Sequence, residues 1–139
     1  MAEDGLLERV KAAYAAWNEG DLEGTLEFLA PDVEWHTSAS FPGTKPLYNG
    51  HDGFRKFWEH LHDPWEGIHV EIESYERSDD VAILRIRFHA TSKDGGVDVD
   101  LPWFQAVVIE DDRVTRSALD RSLDEALEAL DVGGAFPEF

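Results

Sequence analysis

The chain contains no cysteine. That excludes disulfides and thiol catalysis, and a reducing cytoplasm is the expected compartment. Basic residues are few: 12 Lys and Arg stand against 30 Asp and Glu, for a formal net charge of −18. So acidic a surface repels phosphate backbones and anionic lipid, and neither nucleic acid nor membrane is an expected partner. No apolar run reaches the length of a membrane span. The opening MAEDGLLERV is acidic and lacks an apolar core, so no signal peptide is expected. Also missing are GxSxG, a P-loop, a dinucleotide fingerprint and HExxH. The six histidines offer only His60-x-His62 as a tight pair, and i, i+2 positions on a helix do not converge. Neither a metal nor a cofactor is expected.

What the sequence does have is an apolar content of 42%, with 12% aromatics, over 139 residues. That suffices for one domain spanning 1–139 with a real core, and is too little for two. Positions 132–139 read as a loose tail.

Val81 to Ser122 organises the rest. It reads as three antiparallel strands joined by tight turns at Asp94-Gly95 and Asp111-Asp112. The first turn pairs Phe88 with Leu101, Ile86 with Trp103, Leu84 with Gln105 and Ala82 with Val107. The second pairs Ile109 with Val114, Val107 with Arg116, Gln105 with Ala118 and Trp103 with Asp120. Side chains alternate faces along a strand. One face is therefore apolar, interrupted by Gln105, Arg116 and Asp120. The other carries Arg85, Arg87, His89, Asp98 and Asp100. At one end of that outer face Val81, Ile83, Phe104, Ala106, Val108 and Leu119 gather, and an outward apolar patch predicts a homodimer through the sheet.

Before this region, Leu6, Val10, Ala13, Tyr14 and Trp17 form a helical stripe ending near Gly20. Asp21 caps a second short helix carrying Leu22, Leu26 and Leu29. Val33 to Thr37 is a strand, and Ser38 to Gly50 a long loop of the kind that borders a site. Phe54, Phe57, Trp58 and Leu61 mark a third helix over about 51–62. Ile68, Val70 and Ile72 mark another strand, with a turn at Ser78-Asp79-Asp80. Ser122 and Glu125 form a capping box for a last helix, which Gly133-Gly134 ends. Helices followed by a curved antiparallel sheet make an α+β fold: a cone whose apolar interior is a natural ligand cavity.

This order, with the words AAYAAWNEGDLEGTLEFLAPDVEW, LYNGHDGFRKFW, GGVDVDLPWFQAVVIEDDRV and LDRSLDEALEAL, resembles the SnoaL-like branch of the NTF2-like superfamily. The resemblance implies a cone-shaped α+β fold with a deep pocket, dimeric through the sheet. It also brings a range of activities, among them polyketide cyclases, ketosteroid isomerases and limonene epoxide hydrolases, so fold does not settle function. The isomerases' carboxylate base falls on Thr37, next to His36. Their oxyanion tyrosine falls on Ala13, one residue from Tyr14. Their protonated Asp donor falls on Gln105. Relatives often carry His at the Gln105 position and Trp at the Val107 position, and this chain departs at both. Cyclases and hydrolases that use a carboxylate on a late strand make Asp120 the matching candidate.

Two readings follow. In the first, an enzyme acts on a small apolar or aromatic molecule by cofactor-free acid–base chemistry. Asp120, desolvated on the inner face, moves the proton. Gln105 orients a carbonyl or water, and His36 is a further candidate base. In the second, the same cavity binds a ligand without chemistry. Both use a wall of Tyr14, Trp17, Trp35, Thr37, Phe57, Trp58, Phe88, Trp103 and Val107.

Overall fold

The structure is a computed structural model describing residues 2–37, 45–78 and 81–130. Most of the loop after Thr37, the turn at Asp79-Asp80, the Gly133-Gly134 stop and the expected tail lie outside the described residues.

Helix α1 (Ala2–Asn18) ends where Gly20 takes φ +80°, a left-handed conformation that glycine adopts without strain. Helix α2 (Leu22–Leu26) is capped as the sequence predicts, with Asp21 Oδ1 accepting from the Gly24 amide at 2.9 Å. Leu29 does not extend it. Strand β1 (Leu29–His36) claims that residue instead, because Leu29 pairs with Val114 and the Phe28 carbonyl accepts from the Val114 amide at 2.9 Å. The short strand β2 (Leu47–Asn49) lies where the sequence reads as loop. Helix α3 (Gly50–His62) buries Phe54, Phe57 and Leu61. Strands β3 (Trp65–Ser78), β4 (Val81–Ser92), β5 (Asp98–Glu110) and β6 (Arg113–Asp120) follow, then helix α4 (Leu123–Ala129).

The six strands form one curved, open sheet in the order β2-β1-β6-β5-β4-β3. All neighbours are antiparallel except β1 and β6, which run parallel. Helices α1 and α3 pack on the inner face, and the main core lies between them and the sheet. The β4–β5 register matches the reading from the turn at every pair named above. Asp111 and Asp112 both take positive φ, 53° and 63°, so the second turn also forms where expected.

The β5–β6 register holds only for its first pair, Ile109 with Val114. Two residues of β6 then span one step of β5, so Thr115 is a bulge, and its hydroxyl donates to the Val108 carbonyl at 3.2 Å. Beyond it Arg116 faces Val108, Ser117 faces Val107, Leu119 faces Gln105 and Asp120 faces Phe104. A one-residue slip exchanges the two faces of a strand. Ser117 and Leu119 therefore point inward, while Arg116, Ala118 and Asp120 point outward.

The outer apolar patch is corrected too. Leu119 belongs to the inner core. The remainder, centred on Ile83, Ala106, Val108 and Ala118, is covered by Ala126 and Leu130 at the end of the chain's own helical segment. Arg116 Nη1 fixes that cover by donating to the Leu130 carbonyl at 2.5 Å. The patch that pointed to a homodimer is thus filled from within.

Candidate functional site

The inner face of the sheet, α1 and α3 enclose a cavity of about 80 Å³. A water needs roughly 10–15 Å³ of such space, so the cavity suits several waters or one small ring. Its walls are mostly apolar. Trp17, Trp35, Phe54, Phe57 and Phe88 supply the aromatic surface, and Leu84, Ile86, Val107 and Leu119 the aliphatic. The rings fix one another. Trp35 stands edge-on to Phe54 at 4.8 Å, and Trp17 stacks on Phe57 at 6.0 Å.

Three polar side chains meet at this wall. The Tyr14 hydroxyl donates to Gln105 Oε1, and Gln105 Nε2 donates to Ser117 Oγ at 2.9 Å. The α1 stripe brings Tyr14 in, the β4–β5 register turns Gln105 in, and the Thr115 bulge brings Ser117 opposite. Gln105 is only 4% exposed, and the two bonds satisfy both ends of its amide. Burial pushes the Tyr14 phenol above its usual range, an effect that the hydrogen bond to Gln105 partly offsets. Tyr14 is thus held neutral and is a donor, never a base, near neutral pH.

Asp112, the exposed member of the wall, marks the opening with half-buried Arg9, Phe28 and Val114. Arg9 Nε donates to the Asp112 backbone carbonyl at 3.2 Å, and its guanidinium lies 5.3 Å from the centre of the Phe28 ring.

Of the residues expected from the sequence, Tyr14, Trp17, Trp35, Phe57, Phe88, Gln105 and Val107 line this cavity together. Asp120 does not. The bulge turns it to the outer face, where its carboxylate accepts from the Ser122 amide at 3.2 Å. His36 points away from Trp35 and lies 3.4 Å from Glu34 Oε1. Thr37 is fully buried but outside the lining. Its hydroxyl donates to the Lys45 carbonyl, and its amide to the Pro46 carbonyl at 2.9 Å. The long loop is thus pinned at its base, where Tyr48 also accepts from the Lys45 amide and meets His60 Nδ1 at 2.6 Å. Trp58 sits behind Trp17 and stacks on His62 at 4.5 Å, and Trp103 is buried in the core without reaching the cavity. Among the described residues no group of three or more His, Asp or Glu side chains is placed to hold a metal ion.

The sequence reading misses Arg9, Ser117 and Leu119. The last two carry a signal. The simple register buries Arg116 and Asp120, two charges on an apolar face, and such a cost marks a pairing error. Arg9 carries none, because an arginine on an exposed helix turn looks like ordinary surface.

Residues 10–117 match the SnoaL-like domain family. No curated protein matches the chain in sequence. Among solved structures, TerC co-crystallised with polyporic acid is similar at TM-score 0.75 and 22% identity, covering 88% of this chain and 98% of its own. An NTF2-like protein of unknown function from Burkholderia pseudomallei gives TM-score 0.75 at 20% identity, covering 88% and 95%. A protein with a ketosteroid isomerase-like fold from Catenulispora acidiphila, in complex with trimethylamine, gives 0.73 at 16%, covering 94% and 98%. At such identities the likeness speaks to the fold alone.

Proposed function

The chain belongs to the SnoaL-like domain family, and from that premise we propose that it binds a small apolar or aromatic molecule in its inner cavity without transforming it. One observation carries this reading. The buried polar groups of Tyr14, Gln105 and Ser117 are paired with one another, and among the described residues the only acidic residue of the lining is exposed Asp112, with no histidine. General acid–base work needs a proton acceptor within hydrogen-bond reach of the substrate. An aromatic box with a paired Tyr14–Gln105–Ser117 set, and with the buried Trp17 and Trp35 indole N–H groups unpartnered among the described residues, supplies orientation and burial instead. Two of the similar structures hold small molecules, polyporic acid in one and trimethylamine in the other.

The test is a thermal-shift and calorimetric screen with single-ring aromatics, monoterpenes and steroids. Single-ring compounds are expected to stabilise the protein, by about 2.7 kcal/mol at ~100 times Kd. Steroids exceed the space and are expected to bind less well. No stabilisation by any class overturns the proposal.

Tyr14 favours a second reading. A phenol kept neutral beside an amide is suited to donate to an oxygen that gains charge. If the protein enolises a bound ketone, wild type will exchange the ketone's α-protons for deuterium, and Tyr14→Phe will not. Equal exchange by both proteins, or none by either, removes this reading.

A further inference from the structure

We propose that the ligand is a small ring carrying a carboxylate or equivalent monoanion, its ring inside the cavity and its charge on the Arg9 guanidinium at the opening. This rests on the cavity-binding reading above and adds the charge and direction of the ligand.

The ground is the state of Arg9. The chain has 30 acidic residues and 12 basic ones, so a carboxylate partner is easily found. Arg55 takes Glu23 and Asp52, and Arg87 takes Glu73 and Asp100. Arg9 takes none among the described residues, although Asp111 and Asp112 stand on the adjoining turn. Its one hydrogen bond there uses Nε and a backbone carbonyl. That bond and the Phe28 ring hold the head at the cavity's edge, and the terminal Nη groups of the fork remain unoccupied among the described residues. A guanidinium fork fits a carboxylate with two parallel bonds.

The geometry around it selects the rest of the ligand. Behind Arg9 the wall turns at once to Val10, Ala13 and the aromatic box, with no second cation among the described lining residues. One cation at the edge and apolar surface within describe a molecule with one charged end. The exposed carboxylates of Asp111 and Asp112 work against an anion, but water screens exposed charges more than a partly buried pair. The net charge of −18 is spread over the whole surface and screened by salt, whereas Arg9 meets the ligand's charged end directly.

Benzoate, benzamide and benzamidine have nearly one shape and carry charges of −1, 0 and +1. Calorimetric titration of each into the wild type should give the order benzoate, benzamide, benzamidine, with benzoate about tenfold tighter than benzamide, as a charge-assisted bond warrants. Arg9→Gln should bring the benzoate-to-benzamide ratio close to one, and Arg9→Lys should retain part of it. Circular dichroism checks that each variant is folded. Equal binding of benzoate and benzamide by the wild type, tightest binding of benzamidine, or a ratio that survives Arg9→Gln overturns the proposal while leaving the cavity as a binding site. Binding of none of the three overturns the proposal, and the cavity-binding reading then stands or falls with the thermal-shift screen.

Discussion

The two faces of this sheet are made from the same strands and do different work. On the inner face of β4 and β5, Leu84, Ile86, Phe88, Trp103 and Val107 are buried. One residue along each strand, on the outer face, Arg87 reaches Asp100 at 2.6 Å and Glu73 at 3.1 Å, and His89 lies 3.7 Å from Asp100. The period-two pleat produces both faces. The inner face holds the fold by area removed from water. The outer ion pairs are exposed and contribute little. At Thr115 the faces are reassigned: one extra residue decides which β6 side chains belong to which face.

Inserting one alanine between Arg116 and Ser117 disturbs the two faces most. With Arg116 still opposite Val108, every residue beyond the insertion moves to the other face, swinging Asp120 inward and Leu119 out. Burying an unpaired carboxylate in place of a core leucine costs more than a small domain holds. The expected result is loss of the cooperative urea transition; a transition retained near the wild-type midpoint would show that the register of β6 does not set the faces.

Phe57→Ala should cost about 3–5 kcal/mol, because it opens a hole beneath Trp17 and Trp35. Leu130→Ala on the covered part of the outer face should cost about 2–4 kcal/mol, and its variant should elute earlier on size exclusion if the uncovered patch associates. Urea melts rank the two. A larger loss at Leu130 than at Phe57 would reverse the roles of the two faces.

Gln105→Leu sharpens the inner face. It leaves the Tyr14 hydroxyl and Ser117 without their partner, for about 1–3 kcal/mol. Tyr14 also sets a pH dependence. Its folded pKa lies above the unfolded value near 10, so above that pH the unfolded chain loses a proton that the folded one keeps. Its share of stability is present below about pH 10 and falls as pH rises beyond it. Tyr14→Phe should flatten the alkaline fall of Tm. An unchanged slope would assign that fall to other groups.

Arg87→Gln on the outer face should shift Tm least. The Arg87 guanidinium holds the Asp100 carboxyl below its usual range, so whatever this pair contributes fades as pH falls through that lowered value. Asp120→Asn should leave ligand-induced thermal shifts unchanged, since its carboxylate faces outward.

The sequence by itself determined what short-range rules govern. Helix α3 follows from its stripe, α2 starts at Asp21 because a carboxylate must satisfy free amides, and the β4–β5 register follows from the turn between them. Seven of the cavity's wall residues were legible for the same reason, since alternation and helical period point them to one side. Only the tertiary structure decided the rest. The Thr115 bulge depends on a carbonyl of the neighbouring strand and on Arg116 reaching the end of the α4 segment, contacts that no local pattern records. β2 exists because β1 offers it an edge, pairing His36 with Leu47. Arg9 became part of a site because the chain turns at Asp111-Asp112, over a hundred residues away, and sets a carbonyl beside it.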